Sequence, residues 1–215
     1  MTTLTTRALL LDMDGTLVDS TPAVEKGWTR WCIDHGIAPR TVLDICHGCT
    51  SEYVLARVAP HLDVATENAV LDALEIEYAA EATVRPGAAD LLAALPPAQW
   101  ALVTSAGREV ALTRFRLGAL PWPAVAVVAE DVSQGKPSPE PYLRAAVALG
   151  VDPAECVVFE DAAAGVASAL AAGCRVVIVG DHVPLQPGVI GRVADFAGVS
   201  LQVLDDGLLR LTLPV

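Results

Sequence analysis

The chain has 215 residues, of which 53% are hydrophobic and 5% aromatic. This length suits one domain that carries a smaller insertion, and the apolar fraction argues against intrinsic disorder. With 14 basic and 26 acidic residues, the formal net charge is -12. We therefore expect no binding to nucleic acids or to anionic membranes, because an acidic chain has no excess of cations to displace phosphate counterions.

The compartment can be inferred from the N-terminus and the cysteines. The N-terminal apolar run is too short for a secretory signal and acidic residues follow it at once, so we expect a cytoplasmic protein. For the oligomeric state, a monomer is favoured. Five cysteines, an odd number, fit reduced thiols. Cys46 and Cys49 have the CxxC spacing of redox and zinc sites. A zinc site needs a second ligand pair, which the sequence lacks, so this spacing is weak evidence.

The predicted elements fall into two groups along the chain. Residues 8–11 form an apolar run typical of a strand buried on both faces. From residue 22 to about 83 the pattern predicts helices alone, at 22–36, 41–46, 51–58 and 65–82. Beyond residue 87 helices are predicted at 88–95, 109–117, 139–149 and 163–172, and strands at 100–104, 124–129, 156–159 and 175–179. This alternation predicts a parallel sheet with right-handed crossovers.

Two other segments have a distinct pattern. Residues 162–180 are almost all small or apolar, but Gly165, Gly173 and Arg175 interrupt them. We interpret this segment as a helix, a glycine stop and a buried strand, and not as a membrane span. Near the end, Asp206-Gly207 predicts a hairpin turn between strands at 201–203 and 208–213.

The first strand leads directly into two acidic residues, Asp12 and Asp14, with Gly15 and Thr16 after them. Residues two apart in an extended chain point to the same side, and open α/β sheets bind ligands at the carboxyl ends of their strands. Paired carboxylates at this position can hold a hard cation such as Mg2+ and supply a nucleophile and an acid. This segment favours an enzyme.

Three further strand ends carry polar groups. Thr104 and Ser105 open a glycine-containing turn before a helix, where hydroxyl and backbone N–H groups could bind phosphate. Lys136 lies on a proline-flanked loop, and Glu160 and Asp161 follow the strand at 156–159. Helix capping or solvent exposure could explain each group alone. Together with the first acid pair, however, the last two acids would complete an oxygen-ligand site for Mg2+.

Four motifs, DxDGT, VTSAG, GKPSP and FEDAAAG, thus occur in order at successive strand ends. As a set they are highly specific, and the sequence resembles the haloacid dehalogenase-like superfamily over essentially its whole length. The resemblance implies an α/β fold: a Rossmann-like, doubly wound parallel sheet core at 1–17 and 85–215, with a small all-helical cap inserted at 18–84. The segments 19–28, 47–48, 103–105 and 160–162 are most similar to bacterial sugar phosphatases and to the yeast 2-deoxyglucose-6-phosphate and glycerol-phosphate phosphatases.

The resemblance implies a role for each core motif. Asp12 would be the nucleophile that becomes an aspartyl phosphate, and Asp14 the acid/base that protonates the leaving alkoxide and later activates water. Thr104 and Ser105 would bind the phosphate. Lys136 would orient Asp12 and neutralise phosphoryl charge, which suits the demands of phosphoryl transfer.

The resemblance also implies a cofactor and a substrate class. Mg2+ would be bound by Asp12, Asp161 and the backbone carbonyl of Asp14, and Glu160 would hold a metal-bound water or ligate directly. The expected activity is that of a Mg2+-dependent phosphomonoesterase for small sugar or polyol phosphates, proceeding through an aspartyl phosphate.

The cap would close over the site and recognise the leaving group. The candidate substrate contacts in it are Glu25, Lys26, His47, Cys49 and Thr50. A helix-end role for the histidine, and a solvated face for the two helical charges, are the alternatives. Trp28 and Trp31 have a spacing that favours the core of the cap.

Other activities share the same fold. A sugar-phosphate mutase carries the same four motifs but uses a bisphosphate intermediate, and it stays open as the alternative. A haloacid dehalogenase has no need of Asp14, and phosphonate hydrolases lack an acid there, although Lys26 is a formal candidate for their Schiff-base lysine. The complete motif set disfavours a non-catalytic binding protein.

Overall fold

The computed structural model describes residues 2–214 and has a six-stranded sheet at the centre of its core. All neighbouring strands of this sheet are parallel. Their spatial order is β6 (Val125–Val127), β5 (Trp100–Val103), β2 (Ala8–Leu11), β7 (Cys156–Glu160), β8 (Arg175–Val179) and β9 (Val189–Val193). The strand β9 was not predicted from the sequence.

The central sheet is covered by helices on both faces, which confirms the doubly wound α/β fold. Leu9 and Leu11 of β2 pack with α5 (Ala88–Ala94) and α6 (Arg108–Leu117). The alternate residues Ala8 and Leu10 pack with the helices on the opposite face, α7 (Glu140–Leu149) and α8 (Ala163–Ala171). Because both faces are buried, β2 is apolar at every position.

A helical unit lies between β2 and α5. Its helices are α1 (Thr21–Asp34), α2 (Pro39–Leu43), α3 (Ser51–Val58) and α4 (Val64–Glu77), followed by a short 3-10 helix at Ala79–Glu81. Two short antiparallel strands flank it, β3 (Val18–Asp19) and β4 (Thr83–Val84). The predicted bounds of two helices were wrong: α2 covers residues 39–43 instead of 41–46, and α4 ends at Glu77 instead of continuing to residue 82.

The helical unit has its own apolar core. Trp28 and Trp31 are 3% and 1% exposed and meet edge to face, with ring centroids 5.6 Å apart. Their predicted place in this core is therefore confirmed. Leu71 of α4 and Val54 of α3 complete the cluster between the helices.

A small antiparallel sheet has the strand order β1 (Thr2–Thr6), β11 (Leu209–Leu213) and β10 (Ser200–Val203). The pairing of β10 with β11 confirms the predicted hairpin. The threonine-rich β1 was missed, because four of its five residues are at least partly exposed and it has little hydrophobic alternation. The segment 162–180 contains α8 and β8 as expected, and across residues 2–214 every helix is too short or too polar to cross a membrane.

Candidate active site

The predicted acids meet because β5, β2 and β7 are neighbours in the sheet. Asp12 directly follows β2, and its backbone N–H donates to the carbonyl of Phe159 at 3.1 Å. Glu160 is the last residue of β7, and Thr104 follows β5. Parallel strands end at one edge of the sheet, so residues 56 to 148 positions apart in the chain share one site.

Lys136 is the cation at the centre of this edge. Its Nζ atom donates to Asp12 Oδ1 at 2.6 Å, to Glu160 Oε1 at 2.7 Å and to the carbonyl oxygen of Val103 at 3.0 Å. Three acceptors match the three protons of an ammonium group. The residue is 1% exposed, so these contacts hold its position without competition from water.

The carboxylates around Lys136 carry more negative charge than one lysine neutralises. Burial lowers the pKa of Lys136, but Asp12 and Glu160 outweigh this effect and raise it overall. Burial and the neighbouring Glu160 raise the pKa of Asp12 well above its ordinary value. The same two causes raise the pKa of Asp161 to about 7. The cluster is therefore electrostatically suited to a further cation.

Among residues 2–214, one group of acidic side chains has the geometry of a cation site. Asp12, Glu160 and Asp161 each offer an oxygen atom, and these atoms lie within 4.8 Å of one another. Carboxylate oxygens are the donors that Mg2+ prefers, so the residues fit this ion. The side chain of Asp14 is outside the group, and the expected role of its backbone carbonyl stays a prediction.

Each carboxylate oxygen of Glu160 accepts two hydrogen bonds. Besides Lys136, its Oε1 atom accepts from the Tyr142 hydroxyl at 2.9 Å. Its Oε2 atom accepts from the backbone N–H groups of Asp161 and Ala162, both at 3.0 Å. Sequence analysis identified Glu160 but not Tyr142, whose hydroxyl is buried on the inward face of α7.

Two glycines make room for these acids. A Cβ atom on Gly165 would lie 1.6 Å from Glu160 Oε1, and one on Gly15 would lie 2.0 Å from Asp161 Oδ2. Gly15 also has a φ of +80°, which other residues rarely adopt. Each glycine of the first and fourth motifs is thus required by the close approach of a carboxylate.

Asp14 is held by a partner that sequence analysis missed. Arg114 Nη1 donates to Asp14 Oδ1 at 2.7 Å, and the Ser20 hydroxyl donates to the same oxygen at 2.6 Å. Asp14 Oδ2 has one longer contact, with Thr104 Oγ1 at 3.4 Å. The arginine lies on the inward face of α6, as one of four buried residues with helical spacing: Val110, Ala111, Arg114 and Phe115. This spacing is the feature of the sequence that could have identified it.

The turn after β5 contacts both Asp14 and the helical unit. Thr104 is 4% exposed, and its hydroxyl accepts from the Ala106 N–H at 3.0 Å. The Ser105 hydroxyl donates to the carbonyl oxygen of Gly48 at 3.0 Å. A Cβ atom on Gly48 would lie 2.6 Å from Ala162 Cβ, so the loop at Gly48 packs directly on the core. The helical unit is therefore closed over the sheet edge.

Two predicted cap contacts, His47 and Cys49, line the cavity between the helical unit and the core. Glu25 reaches His47, with Oε1 3.5 Å from Nε2. Burial raises the pKa of Cys49, and it raises that of Cys46 to about 12. Neither thiol is thus activated as a thiolate, which argues against a redox role for the CxxC pair.

The structure does not bring the other two predicted cap residues to this cavity. Lys26 pairs with Glu81 and lies 4.5 Å from the ring centroid of Tyr78. Thr50 is buried and caps α3, accepting from the Tyr53 N–H at 3.3 Å. Both side chains are thus engaged by partners within the helical unit, which explains their positions without a substrate.

The cavity has an acidic wall that sequence analysis also missed. It is formed by Glu52, Asn68, Asp72, Glu75 and Glu130. Burial raises the pKa of Asp72 to about 6, with Glu130 and Glu52 adding to the effect. Three separate chain segments supply this wall, so no single sequence motif predicts it.

Comparison with known proteins places the chain among hydrolases. The family model described as haloacid dehalogenase-like hydrolase matches residues 6–173. Hexitol phosphatase A of Escherichia coli K12 is 46% identical over 178 residues, covering 80% of this chain and 82% of that protein. Glycerol-1-phosphate phosphohydrolase 2 of Saccharomyces cerevisiae is 38% identical over 184 residues, covering 79% of this chain and 73% of that protein.

The fold is matched by solved structures. The crystal structure of CbbY from Rhodobacter sphaeroides in complex with phosphate superposes with a TM-score of 0.74 at 24% identity, covering 89% of this chain and 95% of that one. The expected likeness to bacterial sugar phosphatases and to the yeast phosphatases is confirmed by sequence. The match to the family model over most of the length, with the four motifs at adjacent strand ends, shows that this chain belongs to the haloacid dehalogenase-like hydrolases.

Proposed function

We propose that the protein is a Mg2+-dependent phosphomonoesterase that hydrolyses small sugar or polyol phosphates through an aspartyl phosphate. The observation that carries this proposal is the buried Lys136, whose ammonium group holds Asp12 beside the acidic group at the ends of β2 and β7. Relatives named as phosphatases of hexitol phosphates and of glycerol 1-phosphate support the substrate class.

In the first step, an oxygen of Asp12 attacks phosphorus while the bond from phosphorus to the leaving oxygen breaks. Lys136 holds Asp12 Oδ1, which leaves Oδ2 for the attack. Asp14 gives its proton to the leaving alkoxide. In the second step, Asp14 takes a proton from water as the water oxygen attacks phosphorus, which frees phosphate and restores Asp12.

Charge on the transferred phosphoryl group requires cations and donors. Lys136 and the turn at Thr104 and Ser105 would supply them, once Ser105 exchanges the Gly48 carbonyl for a phosphate oxygen. Asp12, Asp161 and the backbone carbonyl of Asp14 would hold Mg2+, with Glu160 beside them. When bound, this ion supplies positive charge that stabilises the transferring phosphoryl oxygens.

The cap, for which we propose the extent 18–84 against a core of 1–17 and 85–215, would recognise the leaving group. The acidic wall carries carboxylate and amide groups that can bind hydroxyls. It would repel a second phosphate, which favours a monophosphate substrate over the bisphosphate of a mutase. We propose His47 and Cys49 as further contacts, with Glu25 acting through His47, and we do not propose Lys26 or Thr50.

The test is phosphate release from glycerol 1-phosphate, hexitol phosphates and 2-deoxyglucose 6-phosphate, with Mg2+ and with a chelator. We expect release that requires Mg2+ and is lost in Asp12→Asn. Glucose 1-phosphate primed with glucose bisphosphate runs in parallel. Isomerisation without release would replace the proposal with a mutase, and silence in both assays would refute the proposed activity.

A further inference from the structure

One buried cation, Arg114, takes no part in the reaction as proposed above. Its side chain is 0% exposed, and it joins two acids that belong to different units of the protein. Arg114 Nη1 lies 2.7 Å from Asp14 Oδ1 in the core, and Nη2 lies 2.8 Å from Glu75 Oε2 on α4 of the cap. The residue is thus a bridge between the expected acid/base and the cap.

The bridge is complete only when the cap lies on the core. A buried guanidinium needs its charge paired, because an unpaired charge in a protein interior is strongly unfavourable. Arg114 and Asp14 both belong to the core, whereas Glu75 arrives with α4. Ser20, which follows β3 at the start of the cap, donates to the same Asp14 oxygen. Two of the residues that fix Asp14, directly or through Arg114, therefore depend on the position of the cap.

The contacts also distinguish the two oxygens of Asp14. Oδ1 accepts from Arg114 and Ser20, which occupies its lone pairs. Within residues 2–214, the one contact of Oδ2 is that with Thr104 at 3.4 Å. Oδ2 is therefore the oxygen that is free to carry a proton to the leaving group and to take one from water.

We propose that Arg114 is a positioning residue for Asp14, and that Glu75 makes this positioning depend on closure of the cap. The inference rests on the proposed function, because it concerns the acid/base step of that reaction. With the cap closed, Arg114 holds Oδ1 and directs Oδ2 toward the leaving oxygen. With the cap open, Arg114 loses Glu75 and the acid/base loses its fixed orientation, which would limit hydrolysis to the closed state.

The dependence on leaving group separates this role from a merely structural one. An alkyl phosphate such as glycerol 1-phosphate needs a proton on its leaving oxygen, whereas p-nitrophenyl phosphate releases a stable anion and needs little acid assistance. The ratio kcat/KM reports the steps up to departure of the leaving group and leaves out the later attack of water, which both substrates share. We expect Arg114→Met to lower kcat/KM about 100-fold on glycerol 1-phosphate and less than about 10-fold on p-nitrophenyl phosphate. Asp14→Asn should show the same split. Arg116→Met, an exposed arginine on the same helix, is the matched control and should leave both rates unchanged.

Glu75→Gln tests the part played by the cap. We expect it to lower kcat/KM on glycerol 1-phosphate about 3- to 10-fold, with a smaller loss on p-nitrophenyl phosphate. In the Arg114→Met background it should add little, because both changes break one bridge. Should Arg114→Met fail to fold, Arg114→Lys keeps the charge while losing the two-pronged contact, and it should show the same split at smaller size.

Equal losses of kcat/KM on both substrates would overturn the inference, since a misplaced cap or a loosened fold affects every substrate alike. Additive effects of the two changes would refute the coupling to Glu75. Failure of the proposed function looks different. The wild-type protein would then release no phosphate from either substrate, and the inference would fall with it.

Discussion

The strand-end cluster of Asp12, Lys136, Glu160 and Asp161, which lies under the cavity and forms its floor, and the acidic wall are built in opposite ways. On the floor, Lys136 and Glu160 are 1% and 0% exposed, and each of their charged atoms has a partner within 3.0 Å. On the wall, Asn68 and Asp72 are partly buried and Glu52 is exposed, and the one hydrogen bond between these three side chains is the 3.3 Å contact from Asn68 to Asp72. The other two wall residues, Glu75 and Glu130, are already paired, with Arg114 and with the Arg108 N–H. The rigid strands thus hold the groups of the expected chemistry, and the helices carry groups free to bind a substrate.

This contrast predicts that changes on the floor cost both stability and activity, and the largest effect is expected for Lys136→Met. The change leaves Asp12 and Glu160 as buried, uncompensated carboxylates. We expect a loss of about 3–5 kcal/mol in the free energy of unfolding, together with loss of detectable turnover. Urea titration and phosphate release measure the two effects. Unchanged stability would show that the acids are neutralised in another way.

Asp14→Asn should separate activity from stability. The amide can still accept from Arg114 and Ser20 but cannot donate or take the proton in the reaction. We expect a loss of about 10²–10⁴-fold in kcat on alkyl phosphates with the thermal unfolding temperature nearly unchanged. Full activity of this variant would remove Asp14 from the mechanism.

Gly165→Ala tests how tightly the floor is packed. The new Cβ atom would meet Glu160 Oε1 at 1.6 Å, so we expect a destabilisation of about 1–3 kcal/mol and a displaced Lys136 contact. Gly27→Ala is the matched control on α1, since its Cβ would have no neighbour closer than 3.7 Å. The control should be neutral or slightly stabilising. Equal behaviour of the two variants would contradict the close packing.

Asp72→Asn, on the wall, should have a small effect on stability that depends on pH. Its pKa is raised to about 6, so the folded state holds a proton that the unfolded state releases above about pH 4. Wild-type stability should therefore fall as pH rises between about pH 4 and pH 6. Asparagine carries no such charge, so the variant should gain up to about 1 kcal/mol over wild type above pH 6, after allowance for solvent screening. Thermal unfolding of both proteins from pH 4 to pH 8 measures the difference in stability. A gain in stability of the variant at pH 4 alone would contradict the raised pKa of Asp72.

Much of the core was predictable because its signals are local. The continuous apolar run of β2 indicated burial on both faces, and the acids directly after it marked a strand end. Because every parallel strand ends at the same edge, the four motifs could be placed together without knowledge of the strand order. The strands β1 and β9 were missed, since short and partly exposed strands carry weak hydrophobic patterns.

The wall and the bridge were not predictable for the opposite reason. Arg114 is 100 residues from Asp14 and 39 from Glu75, and nothing in the local sequence links them. Lys26 follows Glu25 in the chain, yet it pairs with Glu81 while Glu25 meets His47. The pairing of charged side chains depends on the rotation of each helix about its axis and on the position of the cap on the core.

The sequence by itself therefore determined the fold class, the family and the strand-end motifs, because backbone periodicity and the common direction of parallel strands place those residues whatever the details of packing. Only the tertiary structure decided the partners of Asp14, the acidic wall and the separation of Lys26 from the cavity. These depend on contacts between segments far apart in the chain, within the cap and between the cap and the core, and such contacts are set by the packing of whole surfaces and not by any local pattern.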